Sequence, residues 1–430
     1  MPKILLIICL VFGFSFTFWS LVGLIRLLSE SAKKNFLGRE TKLTCSKKTA
    51  APNFIDRFTP STGNKVAVCM AAFNEESIIA DSLQALKKII APAHIYVSSD
   101  GSVDRTAELA RAEGCQVLEI SANHGKADAL VAAINHFRLC ENYDFILFVD
   151  ADTRLREDYL INGLPYFDDP KIAAVAGFAR TQWQDNIFIA YRSRVWFTIQ
   201  TFFRFGMTWK FTNVNMIIPG FASMYRAKAL LDIDIAKPGL VIEDFNMTFE
   251  LQKKKLGKIA HHQNITGYTQ DPYSFKSYCK QIKRWNLGFW QTVKANGFWL
   301  SLFWVNLSVY LLEMLSAGLT FLILPSLISF SLSALFLGLI SPEFYYWGIV
   351  ILKYLLILFA LDYLFTIITA IANNRPELLF YGPTMLFFRW LDAYYFFTTL
   401  FLAFNTKINS NGRWVPPERW PKEATPALNQ

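Results

Sequence analysis

Cysteine is scarce in this sequence, and its distribution argues against a disulfide framework. The 430 residues contain six cysteines, and no pair has the spacing of a metal-binding motif. They are Cys9, Cys45, Cys69, Cys115, Cys140 and Cys279. In a cytoplasmic domain such residues are expected to be free thiols. The sequence therefore predicts neither a disulfide-rich secreted protein nor a cysteine-based metal site.

Charged residues are also few. They make up 18% of the chain, whereas apolar residues make up 53%. This balance is unusual for a soluble protein and predicts a chain that lies partly in a membrane. The formal net charge of +9 could indicate nucleic-acid binding, but no nucleic-acid-binding motif is present. Much of the positive excess flanks apolar segments, so we expect membrane lipids, and no nucleic acid, as partners.

The first apolar run, residues 4–25, is long enough to span a membrane. A cleaved signal peptide is the alternative, but the run is longer than a typical signal core and no small-x-small cleavage site follows it. Seven basic residues come next: Arg26, Lys33, Lys34, Arg39, Lys42, Lys47 and Lys48. By the positive-inside rule they predict a cytoplasmic domain attached to a plasma membrane, the inner membrane in a bacterium.

Hydropathy divides the chain into six segments. We predict an anchor at 1–28, a linker at 29–64, a cytoplasmic domain at 65–272, interfacial helices at 273–298, a membrane region at 299–404 and a polar tail at 405–430. Residues 302–340 could form one span plus a surface helix, or two spans around Pro325. Spans are also expected at 347–372 and 378–404, where Arg389 is expected to pair with Asp392 or to reach the interface.

Strand and helix patterns alternate from residue 65 to residue 149. Strands are predicted at 66–72, 95–97, 117–120 and 145–149, with helices at 75–90, 104–113 and 125–137. Such alternation predicts an α/β domain with a mostly parallel sheet, whose ligands bind at the carboxyl ends of the strands. Asn74, Glu75, Asp100 and Asp150 all follow predicted strand ends, so we expect them at one edge of the sheet.

Two later segments, 187–211 and 273–298, mix aromatic and basic residues. The first contains Arg192, Arg194, Arg204 and Lys210. A buried core helix is one interpretation. Because core helices rarely carry this many cations, we favour helices that lie in the membrane interface.

The Asp150-Ala151-Asp152 sequence follows the apolar strand FILFV. An acidic pair at a strand end can bind Mg²⁺ or Mn²⁺, because hard carboxylate oxygens suit both ions. The bound ion would stabilise the charge of a departing diphosphate. An ordinary acidic loop is the alternative.

Three further polar sites are candidates for donor binding. Asp100 could accept a hydrogen bond from a nucleobase or form an Asx turn. Asn74 and Glu75 could take part in the same site or cap a helix. Lys126 opens a predicted helix, where a phosphate or a pyrimidine edge would be well placed, and a solvated surface lysine is the alternative.

The last two candidates lie further along the chain. Asp244 is the candidate general base, with Glu243 beside it, although an acidic pair also suits the start of a helix. Gln281, Arg284 and Trp285 follow on a predicted helix, where a guanidinium could bind diphosphate and an indole could stack on a sugar.

Taken in order, these motifs resemble those of membrane-embedded family 2 glycosyltransferases, the group that includes cellulose, chitin, hyaluronan and poly-β-1,6-N-acetylglucosamine synthases. The resemblance covers about residues 65–295 and implies a GT-A-like, Rossmann-like domain. It implies donor binding by Asn74, Glu75, Asp100, Lys126, Asp150 and Arg284, metal binding by Asp150 and Asp152, and catalysis by Asp244 with Glu243. It also implies an acceptor site at Gly220, Phe221, Ser223, Gln281 and Trp285.

The tail from Gly412 to Arg419 looks most like that of the bacterial poly-N-acetylglucosamine synthases. In the tail of this chain, Trp414 is expected to close over the bound donor, and a membrane-interface anchor is the alternative role. The sequence departs from the family pattern at two positions, Ile242 before Glu243 and Ser99 before Asp100. The subfamily, and hence the identity of the transferred sugar, therefore stays open.

The resemblance therefore implies an inverting, processive synthase that uses a UDP-sugar, with UDP-N-acetylglucosamine as the best candidate, and that extrudes its polysaccharide. An enzyme that adds one sugar to a lipid is the first alternative, and a non-catalytic transport or scaffold subunit is the second. An accessory membrane subunit or a second copy of the chain is a further possible partner.

Overall fold

The computed structural model describes residues 13–37, 65–208, 212–337, 342–405 and 419–420. Its strands are β1 (Val66–Ala72), β2 (Ile95–Asp100), β3 (Gln116–Ile120), β4 (Phe145–Val149), β5 (Arg154–Leu155), β6 (Ile172–Thr181), β7 (Ala222–Arg226) and β8 (Lys258–Thr269). The α-helices of the first half are α1 (Phe14–Leu37), α2 (Ile79–Lys87), α3 (Thr106–Ala112), α4 (Lys126–His136), α5 (Leu139–Asn142), α6 (Tyr159–Gly163) and α7 (Ile187–Thr198). Those of the second half are α8 (Ala227–Leu230), α9 (Glu243–Lys253), α10 (Phe275–Asn296), α11 (Leu302–Leu337), α12 (Pro342–Asn373), α13 (Glu377–Tyr381) and α14 (Met385–Asn405).

The strands form one eight-stranded sheet in the order β3-β2-β1-β4-β7-β6-β8-β5. The first four are parallel, as the strand–helix alternation predicts. Beyond β4 the sheet is mixed, because β7 runs antiparallel to both β4 and β6, and β5 runs antiparallel to β8. Only the pair β6–β8 is parallel in this half. The prediction of a mostly parallel sheet, made from residues 65–149, is therefore confirmed for the strands of that segment, and the later strands add a mixed half.

Helices cover both faces of the parallel half, which explains why its two inner strands, β1 and β4, are apolar throughout. All seven residues of β1 are buried. Alternate side chains of a strand point to opposite faces. Val68 and Met70 accordingly belong to the cluster that contains Leu83 of α2, and Ala67 and Cys69 to the cluster that contains Ala133 of α4.

The C-terminal region contains two helices that are long and apolar enough to cross a membrane, α11 and α12. Helix α11 is continuous through Pro325, so residues 302–337 form one helix and not two. The segment at 378–404 is divided, because a 3₁₀ turn at Gly382–Thr384 precedes α14. Within these helices Arg389 pairs with Asp362 at 2.7 Å. The Asp392 carboxylate accepts hydrogen bonds from the hydroxyls of Tyr191 and Tyr278, so the predicted partner of Arg389 was wrong.

Helix α1 is longer than the predicted anchor and continues to Leu37. It has no proline or glycine after Gly23 until Gly38, so nothing in the sequence ends it at residue 28. It crosses a π-helical turn at Ile199–Arg204 so closely that a Cβ atom on Gly23 would lie 2.1 Å from the Phe202 carbonyl oxygen. Trp19 also donates a hydrogen bond of 2.6 Å to Asn306 of α11, which joins the N-terminal helix to the C-terminal helices.

The cations of the 187–211 segment are buried in the protein. Arg192, Arg194 and Arg204 are 2%, 2% and 5% exposed. Lys210 lies outside the described residues. The premise that a buried segment rarely carries this many cations does not hold here, because Arg192 and Arg204 line a cavity and Arg194 pairs with Asp362 of a neighbouring helix. An interfacial position of the segment as a whole stays a prediction.

Candidate active site

A cavity of about 2030 Å³ opens beyond the carboxyl ends of β3 and β4 and extends to the C-terminal helices. Asp150, Asp152, Glu243 and Asp244 line one end. Tyr310 and Met314 of α11 and Phe396 of α14 line the other, and Gln281, Arg284 and Trp285 of α10 lie along the wall. One continuous space thus connects the acidic residues with the apolar helices.

Lys126 connects two of the acidic sites. Its Nζ atom lies 2.7 Å from Asp150 Oδ1 and 2.8 Å from Glu243 Oε1. It stands at the start of α4, after Gly125, whose φ of 107° is in the region that favours glycine. Burial alone would lower the pKa of Lys126, but the two carboxylates hold it above its usual value. The lysine is therefore fully charged.

The same ion pairs decide how the two carboxyl groups ionise. Burial raises the pKa of Asp150, and Lys126 opposes this rise. At Glu243 burial alone would also raise the pKa, but the charge and hydrogen bond of Lys126 outweigh it, so the pKa is lowered. Lys126 therefore neutralises part of the acidic cluster. The alternative that Lys126 is a solvated surface lysine does not fit its two ion pairs with Asp150 and Glu243.

Asp244 stands beside Glu243 in the first turn of α9. Its Oδ2 atom accepts a hydrogen bond of 3.2 Å from the Gly220 amide. Burial raises the pKa of Asp244 to about 7, the charge of Glu243 adds to the rise, and Lys126 offsets part of it. A carboxyl group with a pKa near neutrality that lines a cavity has the properties required of a general base.

Gly220, Phe221 and Ser223 bring a tight loop against this acidic pair. A Cβ atom at Gly220 would lie 3.0 Å from Glu243 Oε1 and 3.1 Å from Lys126 Nζ, so a larger residue would disturb both. The Phe221 carbonyl accepts a hydrogen bond from the Asp150 amide. Ser223 is fully buried, and its hydroxyl donates to the Pro219 carbonyl. Gly220 and Phe221 line the cavity, whereas Ser223 supports the loop from behind.

The three residues expected to bind the nucleobase lie side by side, and each has a structural contact. Asp100 is fully buried, and its carboxylate accepts hydrogen bonds from the amides of His124 and Gly125. Asn74 Oδ1 accepts from the Val103 amide. Glu75 is fully buried next to Asp152. The structure thus brings these residues together at the predicted sheet edge, and their part in donor binding stays a prediction.

An arginine from the C-terminal tail, Arg419, lies between the carboxylates of Glu75 and Asp152. The Arg419 Nε atom donates a hydrogen bond of 2.8 Å to Glu75 Oε2, and its other nitrogens contact Glu75 Oε1 and Asp152 Oδ2. Burial raises the pKa of Glu75 to about 7, and Arg419 opposes the rise. The neighbouring Trp420 is buried and donates to the Asp271 carbonyl at 2.9 Å.

The sequence prediction for the tail named Trp414, which lies outside the described residues. The arginine that reaches the site is five positions further on. The Arg419-Trp420 pair in a polar tail was the available signal, but no local pattern connects it with Glu75, 344 residues earlier.

Gln281 and Trp285 lie on one face of α10, as their spacing predicts. Gln281 Oε1 accepts a hydrogen bond of 2.8 Å from Arg192. The centre of the Trp285 ring lies 5.6 Å from that of Trp196. Arg284 is exposed to the cavity. The structure therefore brings all three side chains of this motif to the cavity wall, beside an arginine that sequence reasoning did not assign.

The donor set at Asp150 and Asp152 fits a magnesium or manganese ion that also binds a diphosphate. Within the described ranges, no group of three or more His, Cys, Asp or Glu side chains could hold a metal ion alone. Mg²⁺ in nucleotide enzymes commonly has one or two carboxylate ligands and completes its shell with phosphates and water. Both carboxylates already attract cations, since Lys126 contacts one and Arg419 the other. Asp150 and Asp152 are therefore the residues that would hold the ion.

A family model described as "Glycosyltransferase like family 2" matches residues 63–288, just over half of the chain. The poly-beta-1,6-N-acetyl-D-glucosamine synthase of Staphylococcus aureus (strain COL) is 24% identical over 251 residues, which cover 54% of this chain and 58% of the relative. The chain thus spans somewhat more than half the length of this curated relative.

Two solved structures are similar to this chain at low identity. A mannosyltransferase from Pyrobaculum calidifontis, in complex with GDP-mannose and Mn²⁺, is 15% identical with a TM-score of 0.47 over 88% of this chain and 99% of that one. The glucosyl-3-phosphoglycerate synthase of Mycobacterium tuberculosis, in complex with Mg²⁺ and UDP, is 16% identical with a TM-score of 0.39 over 56% of this chain and 82% of that one.

Proposed function

The chain belongs to glycosyltransferase-like family 2, and from this membership we propose that it is an inverting, processive glycosyltransferase. It transfers a sugar from a UDP-sugar, with UDP-N-acetylglucosamine as the preferred donor, to the end of a β-linked polysaccharide. The choice of sugar follows the Staphylococcus aureus relative, whose name specifies an N-acetylglucosamine polymer.

The cavity is the observation that carries this proposal. Its lining includes the acidic residues, Trp285 and, from the C-terminal helices, Tyr310, Met314 and Phe396. A volume of about 2030 Å³ exceeds the roughly 300–1,000 Å³ of an ordinary small-molecule site. Such a space accommodates a donor together with several sugar units of an acceptor. The part of the cavity lined by Tyr310, Met314 and Phe396 would lead a growing polymer to the helices that we propose cross the membrane.

We propose a separate role in the transfer for each group of side chains in the site. Asp244 takes the proton from the acceptor hydroxyl. The oxygen of that hydroxyl forms a bond to the anomeric carbon of the donor sugar, and the bond from that carbon to the diphosphate breaks. Gly220 holds the carboxylate of Asp244 in place. A divalent cation held by Asp150 and Asp152 would stabilise the negative charge of the departing diphosphate.

Asn74, Glu75 and Asp100 then form the nucleobase side of the donor site, and Lys126 and Arg284 lie where the diphosphate would bind. Gln281 and Trp285 bind the acceptor, because an indole face packs well against the apolar face of a sugar ring. We place the catalytic domain, about residues 65–272, on the cytoplasmic side of a plasma membrane and α11 and α12 within that membrane.

A second candidate function is transfer of a single sugar to a membrane lipid. The apolar end of the cavity favours it to some degree, since a lipid acceptor could enter between α11 and α14. The polar and aromatic wall formed by Arg192, Trp196, Gln281 and Trp285 suits a chain of sugars better than an acyl chain.

Product analysis separates the two functions. Purified protein would be incubated with a panel of radiolabelled UDP-sugars and Mn²⁺, and the product would be sized on a gel and extracted with organic solvent. We expect a water-soluble product of high mass from UDP-N-acetylglucosamine. One labelled sugar in the lipid phase would replace the synthase with the lipid glycosyltransferase, and no transfer from any donor would contradict both.

A further inference from the structure

Two buried arginines, Arg192 on α7 and Arg204 in the π-helical turn that follows it, line the cavity without a carboxylate in ion-pair contact. Arg192 and Arg204 are 2% and 5% exposed. Neither forms an ion pair within 4 Å with any residue that the structure describes. Arg194, on the same helix, pairs with Asp362 at 2.6 Å and does not line the cavity. Buried N–H donors without acceptors are costly, so a ligand that supplies oxygen acceptors would stabilise Arg192 and Arg204.

A π-helical turn brings the two arginines to the same cavity. An unbroken α-helix of 3.6 residues per turn would place Arg204 about 120° around the axis from Arg192. The π-helical turn at Ile199–Arg204 rotates less per residue, which returns Arg204 toward the face of Arg192. Short π-helical segments are frequent at functional sites.

Arg204 is held in place near the candidate base. Its Nη1 atom donates a hydrogen bond of 3.2 Å to Gln200 Oε1. The Gln200 amide is fixed by two bonds to the Ala179 backbone, at 2.8 and 2.9 Å. No other acceptor for Arg204 occurs among the described residues. Burial lowers the pKa of Arg204 to about 10, and the charge of Asp244, which lines the same cavity, opposes this, so the group stays charged at neutral pH with free N–H donors.

Arg192 holds the acceptor motif of α10. Besides its hydrogen bond to Gln281, its guanidinium carbon lies 4.5 Å from the centre of the Trp285 ring and 4.8 Å from that of Tyr278. Its Nε atom is buried and has no hydrogen-bond partner in the described part of the chain. Arg192 therefore fixes the orientation of both predicted acceptor-binding side chains.

We propose that Arg192 and Arg204 form an acceptor-positioning subsite for a sugar chain. Arg204 donates hydrogen bonds to hydroxyl or acetamido oxygens of the terminal sugar and so holds its attacking hydroxyl beside Asp244. Arg192 orients Gln281 and Trp285 against the preceding sugar. The inference rests on the proposed function, because it assigns acceptor binding in the same site. Neither arginine is assigned to the donor or the metal ion.

The test compares variants of the full-length protein. Arg204→Gln and Arg192→Gln remove a guanidinium, and Arg204→Lys keeps the charge but loses the planar arrangement of donors. Arg194→Lys is the matched control on the same helix, with its partner Asp362 outside the cavity. The probe is a β-1,6-linked N-acetylglucosamine pentasaccharide, offered as acceptor with UDP-N-acetylglucosamine. Loss of a charged hydrogen bond should raise the acceptor KM about tenfold or more in Arg204→Gln. Donor KM and UDP affinity by calorimetry should stay within about twofold, and Arg204→Lys should recover part of the loss.

A binding measurement makes the result independent of turnover. Trp196 and Trp285 lie beside Arg192, so tryptophan fluorescence should report pentasaccharide binding. Binding by the wild type that is weakened in Arg192→Gln and Arg204→Gln, but not in Arg194→Lys, supports the subsite even if no UDP-sugar is transferred. The inference is overturned if the wild type does not bind the pentasaccharide. It is also overturned if the affected variants match the control, or if donor affinity falls as much as acceptor affinity.

Discussion

Arg419 and Glu75 form a hydrogen-bonded ion pair across 344 residues, with the Arg419 Nε atom 2.8 Å from Glu75 Oε2. The same guanidinium contacts Asp152. A cation of the protein itself thus lies between the expected nucleobase side and the expected metal-binding carboxylate. Donor and divalent cation must share this space with Arg419 or displace it.

We predict that Arg419→Gln increases the affinity of the donor-free enzyme for Mn²⁺ several-fold. The guanidinium competes with a divalent cation for the Asp152 carboxylate, and a neutral amide competes far less. The free Mn²⁺ signal in electron paramagnetic resonance would measure this affinity. Arg105→Gln, which alters an exposed arginine paired with Glu76, is the control. Unchanged or weaker Mn²⁺ binding in Arg419→Gln would contradict the competition.

Asp152→Ala should abolish the stimulation of UDP binding by Mn²⁺. Asp152 and Asp150 are the two carboxylates available to the ion, and the loss of one leaves an incomplete site. Calorimetry with UDP, in Mn²⁺ and then in excess EDTA, measures the stimulation directly. In the wild type EDTA should weaken UDP binding, whereas in Asp152→Ala it should have little effect. Persistent stimulation by Mn²⁺ in the variant would remove Asp152 from the metal site.

Asp244→Asn should leave UDP binding nearly intact and reduce transfer by a factor of about 10² to 10⁴, the usual contribution of a general base. The amide keeps the shape of the side chain but cannot take a proton. Single-turnover transfer and UDP calorimetry on the same preparation separate the two effects. Near-normal transfer would reject Asp244 as the base.

The pH dependence of transfer offers a separate check on Asp244. Its pKa is raised to about 7 by burial, so the base is protonated in acid. We expect kcat/KM of the wild type to fall about tenfold for each pH unit below 7, since kcat/KM reports the free enzyme. Stability should change in the opposite direction. The folded state holds the proton more tightly than the unfolded state, so the free energy of unfolding declines as pH rises from about 4 to about 7. Asp244→Asn should remove this part of the decline.

Local sequence patterns were sufficient for the parallel half of the sheet and for the grouping of its strand-end carboxylates. Strands β1, β2 and β4 each consist of an apolar run followed by a polar turn, and parallel strands bring such turns to one edge. The order β4-β7-β6-β8-β5 was not predictable in this way, because the pairing of β7 with β4 joins segments about 75 residues apart with no helix-crossover pattern to indicate direction.

The contacts that sequence reasoning missed are between distant segments and involve charge. Arg389 was expected to pair with its neighbour Asp392 or to reach the interface, whereas the structure pairs it with Asp362 of α12. The segment that contains Arg192 and Arg204 was expected to lie in the membrane interface, with a core helix as the alternative, because cations are rarely buried. Their burial depends on the π-helical turn and on the cavity, and neither leaves a periodic signal in the sequence.

The tail provides the last prediction. Residues 406–418 lie outside the described part of the chain, so the expected closure by Trp414 stays a prediction, while Arg419 and Trp420 contact the site directly. Truncation after Asn411 removes all three residues. We expect the truncated protein to insert in membranes and bind UDP, but to lose transfer and to hydrolyse the donor faster, because water enters an unclosed site.

Two point variants then identify the residue responsible. Trp414→Ala should reproduce the loss of transfer if the indole closes the site, whereas Arg419→Gln should reproduce it if the guanidinium does so. Phe404→Ala, at an exposed position near the end of α14, is the control. Transfer and UDP release without transfer would be measured together in each protein. A fully active truncated enzyme, or chemical labelling of the tail from outside intact cells, would exclude a role of the tail in the catalytic cycle.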